Sequence, residues 1–517
     1  MSSLPSYTVR TATSLNTALA RSTGTRIVLG ASIPVSTEIT IPDRHTIVTG
    51  GYGFQKQGSG RINFHGTLED EHRQVFFGFN PGDVTGLFRS QVARPVWWGA
   101  YARTAHLPAS NADTRDDIGI NCAVQSILPG PIGRKVVLDN GAYHVGRPID
   151  LSGRNVLLEG AGPSRSHIST TSFWTADWKT DPMYGVNSHG AVVWAGGSAP
   201  QSVLSYNSGV KGVHINGFYA ATAVANASKR VSGISTYGWM EEHTSLEDIT
   251  IEYFSGYGIG CTSSQTYQRV MNGFALRKFW ITGGLRVDCC PIAVGDLSAA
   301  ASIRDGTIDM NPSTGDTARP VVRVGVWAQG KHTIVENIHV EWVRHAVMVR
   351  GSSAQNQSVE VRGIDLLFGV DSNMAQTGQS SPVTTTQLPV FNPSTGDISD
   401  VYNWSTVLLI TGTCDPLSPV ALTGQAPGNE VVAYHPRVLA SSLSCESAKY
   451  LVRDHGMGQH IQAWRTEQAA THSGMLARYV RSNVYATGAT AVPYWNASGG
   501  AAFGTFPTDK TYVEKVI

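Results

Sequence analysis

A seven-residue pattern occurs six times between residues 210 and 367, and successive copies begin 26 to 36 residues apart. The first and sixth positions are apolar, the fourth is usually apolar, and polar residues or glycine stand between them. The copies are 210–216, 246–252, 276–282, 303–309, 335–341 and 361–367. Apolar residues that alternate with period two are typical of β-strands and exclude helical repeats. A degenerate strand repeat of this length predicts a solenoid whose coils stack on one continuous core.

The composition restricts the partners of the chain, which has 517 residues and a formal net charge of +1. A protein that binds nucleic acid through its phosphates carries a basic stripe, so this balance argues against a nucleic-acid partner. No apolar run approaches the roughly 18 residues of a membrane span, and the first residues form no secretory signal. The six cysteines show no CxxC spacing, so we expect buried free thiols, no metal site and no cofactor.

Different patterns precede and follow the repeats. Residues 1–95 hold short strand candidates broken by turns, with one amphipathic helix near residues 15–20. A second helical pattern covers residues 118–127, where Asp116 or Asp117 is placed to cap the helix by accepting hydrogen bonds from its free amides. Residues 371–400 are rich in Gln, Ser, Thr and Pro and predict a linker or long loop. Residues 401–517 resume β-like runs and predict a C-terminal β module.

An ordered set of short motifs lies between the N-terminal region and the repeats. The set is WWGA at 97–100, TRDD at 114–117, GAY at 141–143 and GAG at 160–162. It resembles the opening of the pectate-lyase-like right-handed parallel β-helix of bacteriophage tailspikes, and the resemblance covers roughly residues 1–370. The implied fold is all-β, with a right-handed parallel β-helix (solenoid) over residues 96–370, a β-rich N-terminal lead-in and a C-terminal β module.

This resemblance also implies a function. A tailspike or tail fibre binds the polysaccharide of a host cell surface, and many such proteins cleave it. The implied assembly is a homotrimer joined through the C-terminal module and held in the virion by phage tail or adaptor proteins. Such a protein is made in the host cytoplasm, is released on lysis and inserts into no membrane. From position alone, we expect residues 1–95 to mediate attachment to the particle.

Two other functions remain open at this point. One is a non-enzymatic virion adhesin or structural tail protein with the same fold. The other is a bacterial carbohydrate-active β-helix enzyme, against which the missing secretory signal counts. The non-enzymatic adhesin can be distinguished from a depolymerase by one property: only a depolymerase makes new sugar ends.

The repeat register predicts which side chains lie together. Equivalent positions of stacked coils are about 4.8 Å apart, and if the fourth and sixth positions face the core, the seventh faces outward. That row contains Glu252, Asp309 and Glu341, which are the candidate catalytic residues. Asp309 and Glu341 would lie about 5 Å apart, as in a retaining glycosidase, and Glu252 and Asp309 about 10 Å apart, near the upper end for an inverting pair. Repulsion between neighbouring carboxylates should raise the pKa of one of them and supply a proton donor. The competing interpretation is a solvated row of acids.

Aromatic side chains near the row are candidate groups for binding sugar. Trp280 and His339 occupy the fifth position of their copies, and Trp342 directly follows Glu341. Trp174 and Trp178 lie in a stretch that departs from regular coils, where a sugar platform and packing beneath a loop are equally compatible with the sequence. A glycoside hydrolase fits these residues better than a calcium-assisted lyase, because Asp305 and Asp309 with Arg304 are only a thin version of the Asp cluster and neighbouring base that a lyase needs.

Overall fold

The structure of the chain is a computed structural model. It describes residues 4–69, 72–86, 92–109, 114–127, 134–175, 188–195, 208–222, 230–236, 241–242, 244–261, 271–285, 289–295, 298–311, 322–328, 330–350, 358–367, 391–392, 397–398, 405–411, 437–445, 450–454, 460–465, 477–481, 484–487 and 490–493.

The N-terminal region is a small parallel β-helix with three faces. Strand β1 (Ser6–Val9) and helix α1 (Ala12–Leu19) precede three coils, and α1 packs on the first coil. The first coil comprises β2 (Arg26–Leu29), β3 (Ile33–Val35) and β4 (Glu38–Ile41). The second comprises β5 (Thr46–Val48), β6 (Phe54–Lys56) and β7 (Arg61–Phe64). The third comprises β8 (Thr67–Glu69), β9 (Phe76–Phe77) and β10 (Val84–Thr85). Their faces are β1-β2-β5-β8, β3-β6-β9 and β4-β7-β10, and every pair is parallel. The predicted β-rich lead-in is therefore itself a stack of coils, with paired residues 20 to 23 positions apart.

A second helix connects this stack to the repeats. After β11 (Val92–Ala93) and a 3₁₀-helix (Pro95–Trp98), α2 runs over Asp116–Ser126. Its N-cap is Arg115, and Asp116 and Asp117 lie buried in its first turn. The two carboxylates accept the backbone N–H groups of His144 at 2.7 Å and Gly146 at 2.9 Å. The predicted capping role is therefore corrected, because these carboxylates bind the amides of a neighbouring strand and attach the helix to the first large coil.

The repeats build two long parallel sheets. The first follows β11-β12-β15-β18-β21-β24-β27-β29-β31-β35-β37, with β13 and β16 joined to β18, and the second follows β14-β17-β19-β22-β25-β28-β30-β34-β36-β38. The strands of the first sheet are β12 (Arg134–Val137), β13 (Gly141–Val145), β15 (Val156–Glu159), β16 (Ser166–Thr170), β18 (Gly209–Asn216), β21 (Ser245–Phe254), β24 (Ala275–Gly284), β27 (Ser302–Asp309), β29 (Thr333–Glu341), β31 (Ser358–Leu367), β35 (Arg437–Cys445) and β37 (His460–Arg465). Those of the second are β14 (Ile149–Asp150), β17 (Ser188–Ala195), β19 (Arg230–Thr236), β22 (Tyr257–Cys261), β25 (Cys290–Val294), β28 (Val322–Ala328), β30 (Val343–Arg350), β34 (Thr406–Thr411), β36 (Tyr450–Asp454) and β38 (Ala477–Arg481). The chain thus folds as a parallel β-helix, which confirms the predicted fold class.

Smaller elements surround the two sheets. Helix α3 covers Phe218–Thr222, and a short parallel sheet contains β20 (Glu241–Glu242), β23 (Met271–Asn272) and β26 (Ser298–Ala299). Two antiparallel hairpins are formed by β32 (Phe391–Asn392) with β33 (Asp397–Ile398) and by β39 (Val484–Thr487) with β40 (Thr490–Pro493). None of the helices in the described part of the chain has the length and hydropathy of a membrane span.

Each copy of the repeat bends at its third position. The residue there has a left-handed φ in all six copies, and a residue in this region is tolerated best when it is Gly, Asn or Asp. The residues are Gly212, Asp248, Lys278, Asp305, Asn337 and Gly363, with φ between 54° and 65°. The bend resets the alternation of a straight strand, so the first, fourth and sixth positions all face the core. Ile249, Ile251, Ile338 and Val340 accordingly have at most 1% of their surface exposed.

The predicted register agrees with the strand pairing. The seventh positions form one continuous row in which each residue pairs with the next: Asn216, Glu252, Thr282, Asp309, Glu341 and Leu367. The stack also continues beyond residue 370, where the sequence suggested the end of the helix. Strand β31 pairs with β35 and β30 pairs with β34, so the first sheet extends to residue 465 and the second to residue 481, within the proposed C-terminal module.

Candidate functional site

In five consecutive coils, the third (bend), fifth and seventh positions of the seven-residue repeat form one outer surface, here called the acidic face. Most of its side chains are half-buried or exposed. In each copy of the repeat, the fifth and seventh positions lie on either side of the sixth, whose side chain is buried. The acidic face consists of Asp248, Thr250, Glu252, Lys278, Trp280, Thr282, Asp305, Thr307, Asp309, Asn337, His339, Glu341, Gly363, Asp365 and Leu367. Neighbouring residues in a column are one coil apart, so a chain-like ligand can contact several coils at once.

His339 binds two carboxylates of the acidic face. Its Nε2 lies 2.6 Å from Oε1 of Glu341, and its Nδ1 lies 3.1 Å from Oδ2 of Asp365. Burial lowers the pKa of His339, but the hydrogen bonds to the two carboxylates outweigh this effect, and the net shift is upward. A protonated imidazole with both N–H groups directed at carboxylates stabilises their ionised forms. Glu341 and Asp365 are therefore linked through the imidazole of His339.

A serine near this cluster does not form a nucleophilic triad. Oγ of Ser444 donates to Oδ1 of Asp365 at 2.7 Å, on the coil beyond. In a triad the histidine accepts the serine proton, whereas here Nε2 of His339 contacts Glu341 and the serine binds the aspartate. The arrangement therefore does not activate Ser444.

Asp309 and Glu341 are neighbours in the row. They are paired residues of adjacent strands, which places their backbones about 4.8 Å apart. Oδ1 of Asp309 accepts the backbone N–H of Asn311 at 2.9 Å, and no ion pair involves Asp309 within the described ranges. The raised carboxyl pKa expected from their proximity stays a prediction, and the neighbouring His339 has a raised pKa. This backbone spacing is compatible with the carboxyl separation of a retaining glycosidase, and the catalytic role of the pair stays a prediction.

Glu252 belongs to a different cluster at the other end of the row. Its Oε2 accepts Nδ2 of Asn216 at 3.2 Å and lies 3.1 Å from Nε2 of His214. The ring of His214 lies against that of His167, with centroids 4.6 Å apart, and His167 lies 4.2 Å from His106. Burial and the two neighbouring histidines lower the pKa of His167 to about 4.

This histidine column could not be predicted from the repeats. His106 and His167 lie outside the six copies, and only the pairing of His167 with His214 aligns them. Thr282 separates Glu252 from Asp309 in the row, so these two carboxylates are two coils apart. Glu252 therefore lies among histidines, away from the closely spaced pair.

An open groove crosses the acidic face around Trp280. The indole is 46% exposed, and the groove has a volume of about 470 Å³. Its walls are formed by Asp248, Thr250, Lys278, Trp280, Asp305 and Thr307, and its base includes Phe279 and Gly306. Trp280, Thr307 and His339 follow one another in a single column, which puts the backbones of Trp280 and His339 about 10 Å apart. An exposed indole can stack on a sugar ring, and the flanking hydroxyl and carboxylate oxygens can accept hydrogen bonds from the hydroxyl groups of the sugar.

The other predicted tryptophans lie in different surroundings. Trp342 follows Glu341 with a left-handed φ of 58° and packs half-buried against the core. Trp174 is 6% exposed, so its indole offers little surface for stacking and the structure favours packing over a sugar platform. Trp178 lies outside the described residues. The described part of the chain contains no group of three or more His, Cys, Asp or Glu side chains suited to a metal ion.

The cysteines in the described ranges are all buried. They are Cys122, Cys261, Cys289, Cys290 and Cys445. Burial raises the pKa of the Cys122 thiol to about 12. A thiol with such a pKa is not ionised near neutral pH, so Cys122 is not a nucleophile.

Comparisons with known proteins returned structural neighbours only. No protein-family model matches the chain, and no curated protein matches its sequence. The A-module of the Azotobacter vinelandii mannuronan C-5 epimerase AlgE6 superposes with a TM-score of 0.40 at 12% identity, over 75% of this chain and 99% of the epimerase module. The Acinetobacter phage vb_AbaP_AS12 gp42 tailspike gives 0.38 at 11% identity, over 84% and 70%. The enzymatically active domain of bacteriophage CBA120 tailspike protein 2 gives 0.35 at 10% identity, over 68% of this chain and 47% of that one.

Proposed function

We propose that this chain is a phage tailspike or tail fibre protein that binds a host surface polysaccharide along the acidic face and hydrolyses it. One observation carries the proposal. The exposed Trp280 stands in the column that leads to His339, beside the in-register pair of Asp309 and Glu341. A stacking surface next to two carboxylates at coil spacing is the arrangement that cleavage of a glycosidic bond requires. The motif order from WWGA to GAG supports the assignment to a virion.

The contacts of the two carboxylates suggest their separate roles. Glu341, which contacts Nε2 of His339, attacks the anomeric carbon and forms a glycosyl-enzyme ester. Asp309 donates a proton to the departing glycosidic oxygen. It then removes a proton from the water that cleaves the ester, which restores both groups. Asp365 keeps His339 oriented from the other side.

The assembly belongs to the same proposal. In the virion the chain forms a homotrimer, and residues 1–95 attach it to phage tail or adaptor proteins. The N-terminal coils suit this role because they form a compact stack separate from the acidic face. Deletion of residues 1–95 should abolish incorporation into particles, and undiminished incorporation would contradict the assignment.

The second candidate is a non-enzymatic adhesin with the same fold. The observation in its favour is the His339 cluster, because a histidine between two carboxylates also serves as a purely structural link between coils. In that case the groove around Trp280 binds glycan and no bond is broken.

A reducing-end assay on host surface polysaccharide tests the proposal. The intact protein is compared with Asp309→Asn and Glu341→Gln, each expected to lower the rate by at least about a thousandfold while glycan binding persists. Glu247→Gln is the matched control, because Glu247 is an outward carboxylate of the same sheet that pairs with Lys211 at 3.2 Å. No new sugar ends, together with saturable binding, would establish the adhesin instead.

A further inference from the structure

The acidic face has a charge opposite to that of the adjacent surface. It contains the carboxylates of Asp248, Glu252, Asp305, Asp309, Glu341 and Asp365, against one lysine, Lys278. With six negative groups and one positive, its formal charge is −5, or −4 when His339 is protonated. The whole chain carries +1, so this concentration of negative charge is local.

The second positions of the same coils show the contrast. They form a mixed column on the other side of the bend, and its members are Glu247, Arg277, Arg304, Glu336 and Arg362. Here the charges are paired: Arg304 lies 3.2 Å and Arg362 lies 2.6 Å from Glu336. The carboxylates of this column are therefore neutralised within the protein, and its formal charge is +1.

Several carboxylates of the acidic face have no such compensation. Within the ranges that the structure describes, no ion pair involves Asp248, Asp305 or Asp309, and Asp305 accepts only the neutral amide of Asn337 at 3.2 Å. Lys278 lies between Asp248 and Asp305 in the column without a salt bridge to either. The two aspartates are walls of the groove around Trp280, so their charge faces any ligand that stacks on the indole.

From this distribution we infer that the glycan bound by the acidic face carries no negative charge and is built of neutral or amino sugars. The inference rests on the proposed function and adds the substrate class. Two like charges 4 Å apart in water repel by about 1 kcal/mol, and screening at physiological salt acts beyond about 8 Å. A polyanion with a charge on each sugar would meet this repulsion at several coils. The hydroxyl groups of a neutral sugar, or the ammonium group of an amino sugar, instead donate to these carboxylates.

Binding to an array of purified bacterial polysaccharides from neutral, amino-sugar and acidic classes tests the inference. The intact protein and Trp280→Ala are compared at about 50 mM and about 300 mM NaCl. We expect the tightest ligands to be neutral, with affinity unchanged by salt within about twofold, or cationic, with affinity that falls as salt rises. Each should bind Trp280→Ala at least about tenfold more weakly.

The outcomes separate this inference from the proposed function. If the tightest ligand is a uronate-, sialate- or sulfate-containing polymer and Trp280→Ala abolishes its binding, the substrate class is overturned while the proposed binding function stands. If no polysaccharide of any class binds, the proposed function fails and the inference fails with it. For an amino-sugar ligand, the double variant Asp248→Asn, Asp305→Asn should weaken binding about threefold to tenfold. An unchanged affinity would contradict a contact with those two aspartates.

Discussion

The base of the groove depends on a glycine that accommodates an aromatic ring. Gly306 occupies the fourth position of its copy, where the other copies have apolar side chains. The ring of Phe279, paired with it in the preceding coil, fills the space above it. A Cβ placed on Gly306 would lie only 2.2, 2.3 and 2.4 Å from three ring carbons of Phe279. The ring is 5% exposed, so it cannot move without disturbing its neighbours.

Gly306→Ala should therefore destabilise the protein. Extra methyl groups in a well-packed interior cost about 1–3 kcal/mol, and three contacts this close place the cost near the upper end, at about 2–3 kcal/mol. Phe279→Leu alone should cost about 1–2 kcal/mol through the cavity it leaves. The smaller side chain of Phe279→Leu also removes the clash with the methyl group that Gly306→Ala adds. The free energy of unfolding of the double variant should therefore fall by about 1–2 kcal/mol less than the sum of the losses in the two single variants.

Unfolding in guanidinium chloride, followed by tryptophan fluorescence, measures these differences. The proteins compared are the wild type, the two single variants and the double variant, with Thr307→Ala on the outer side of the same strand as the control. A Gly306→Ala midpoint that matches the control would refute the packing argument. Strict additivity in the double variant would refute the assignment of the cost to Phe279.

Three further predictions concern titration and binding. His339 has a raised pKa in the folded state, so its contribution to stability is full below pH 6.5 and is lost as pH rises through the folded pKa. His339→Gln should therefore reduce the unfolding midpoint more at about pH 6 than at about pH 9. An equal reduction at both pH values would contradict this assignment. His167 has a pKa lowered to about 4, so the folded state should lose stability as pH falls from 6.5 towards 4, by about 3 kcal/mol in total. His167→Gln should flatten this dependence, and an unchanged slope would exclude His167 as its source. Trp280→Ala should weaken glycan binding about tenfold to a hundredfold with an unchanged unfolding midpoint, and unaltered affinity would place the ligand elsewhere.

The rows of the site were predictable because the repeats are strands in register. Once the fourth and sixth positions are assigned to the core, the pairing of Asp309 with Glu341 follows from counting residues. The short N-terminal coils were not recognised as coils because their strands are two to four residues long, too short for a period-two pattern to emerge. The coils beyond residue 370 were missed for another reason, since long connections separate their strands from the six regular copies.

The contacts within the site depend on information that spacing does not contain. The sequence places His339 and Asp365 in one column, but the tilt of the imidazole towards Glu341 is a matter of side-chain rotamer. The left-handed bend at Lys278 is similarly hidden, because lysine has no preference for that conformation and follows its neighbours in the stack. His167 joins the histidine column only through the pairing of its strand with β18.

The stereochemistry of cleavage tests the central claim most directly. Proton NMR of the first product released from the host polysaccharide reports the anomeric configuration before it equilibrates. Attack by Glu341, with Asp309 one coil away, predicts that the first-formed anomer keeps the configuration of the cleaved linkage. An inverted first product would contradict the role of this pair and require a water molecule between more distant carboxylates.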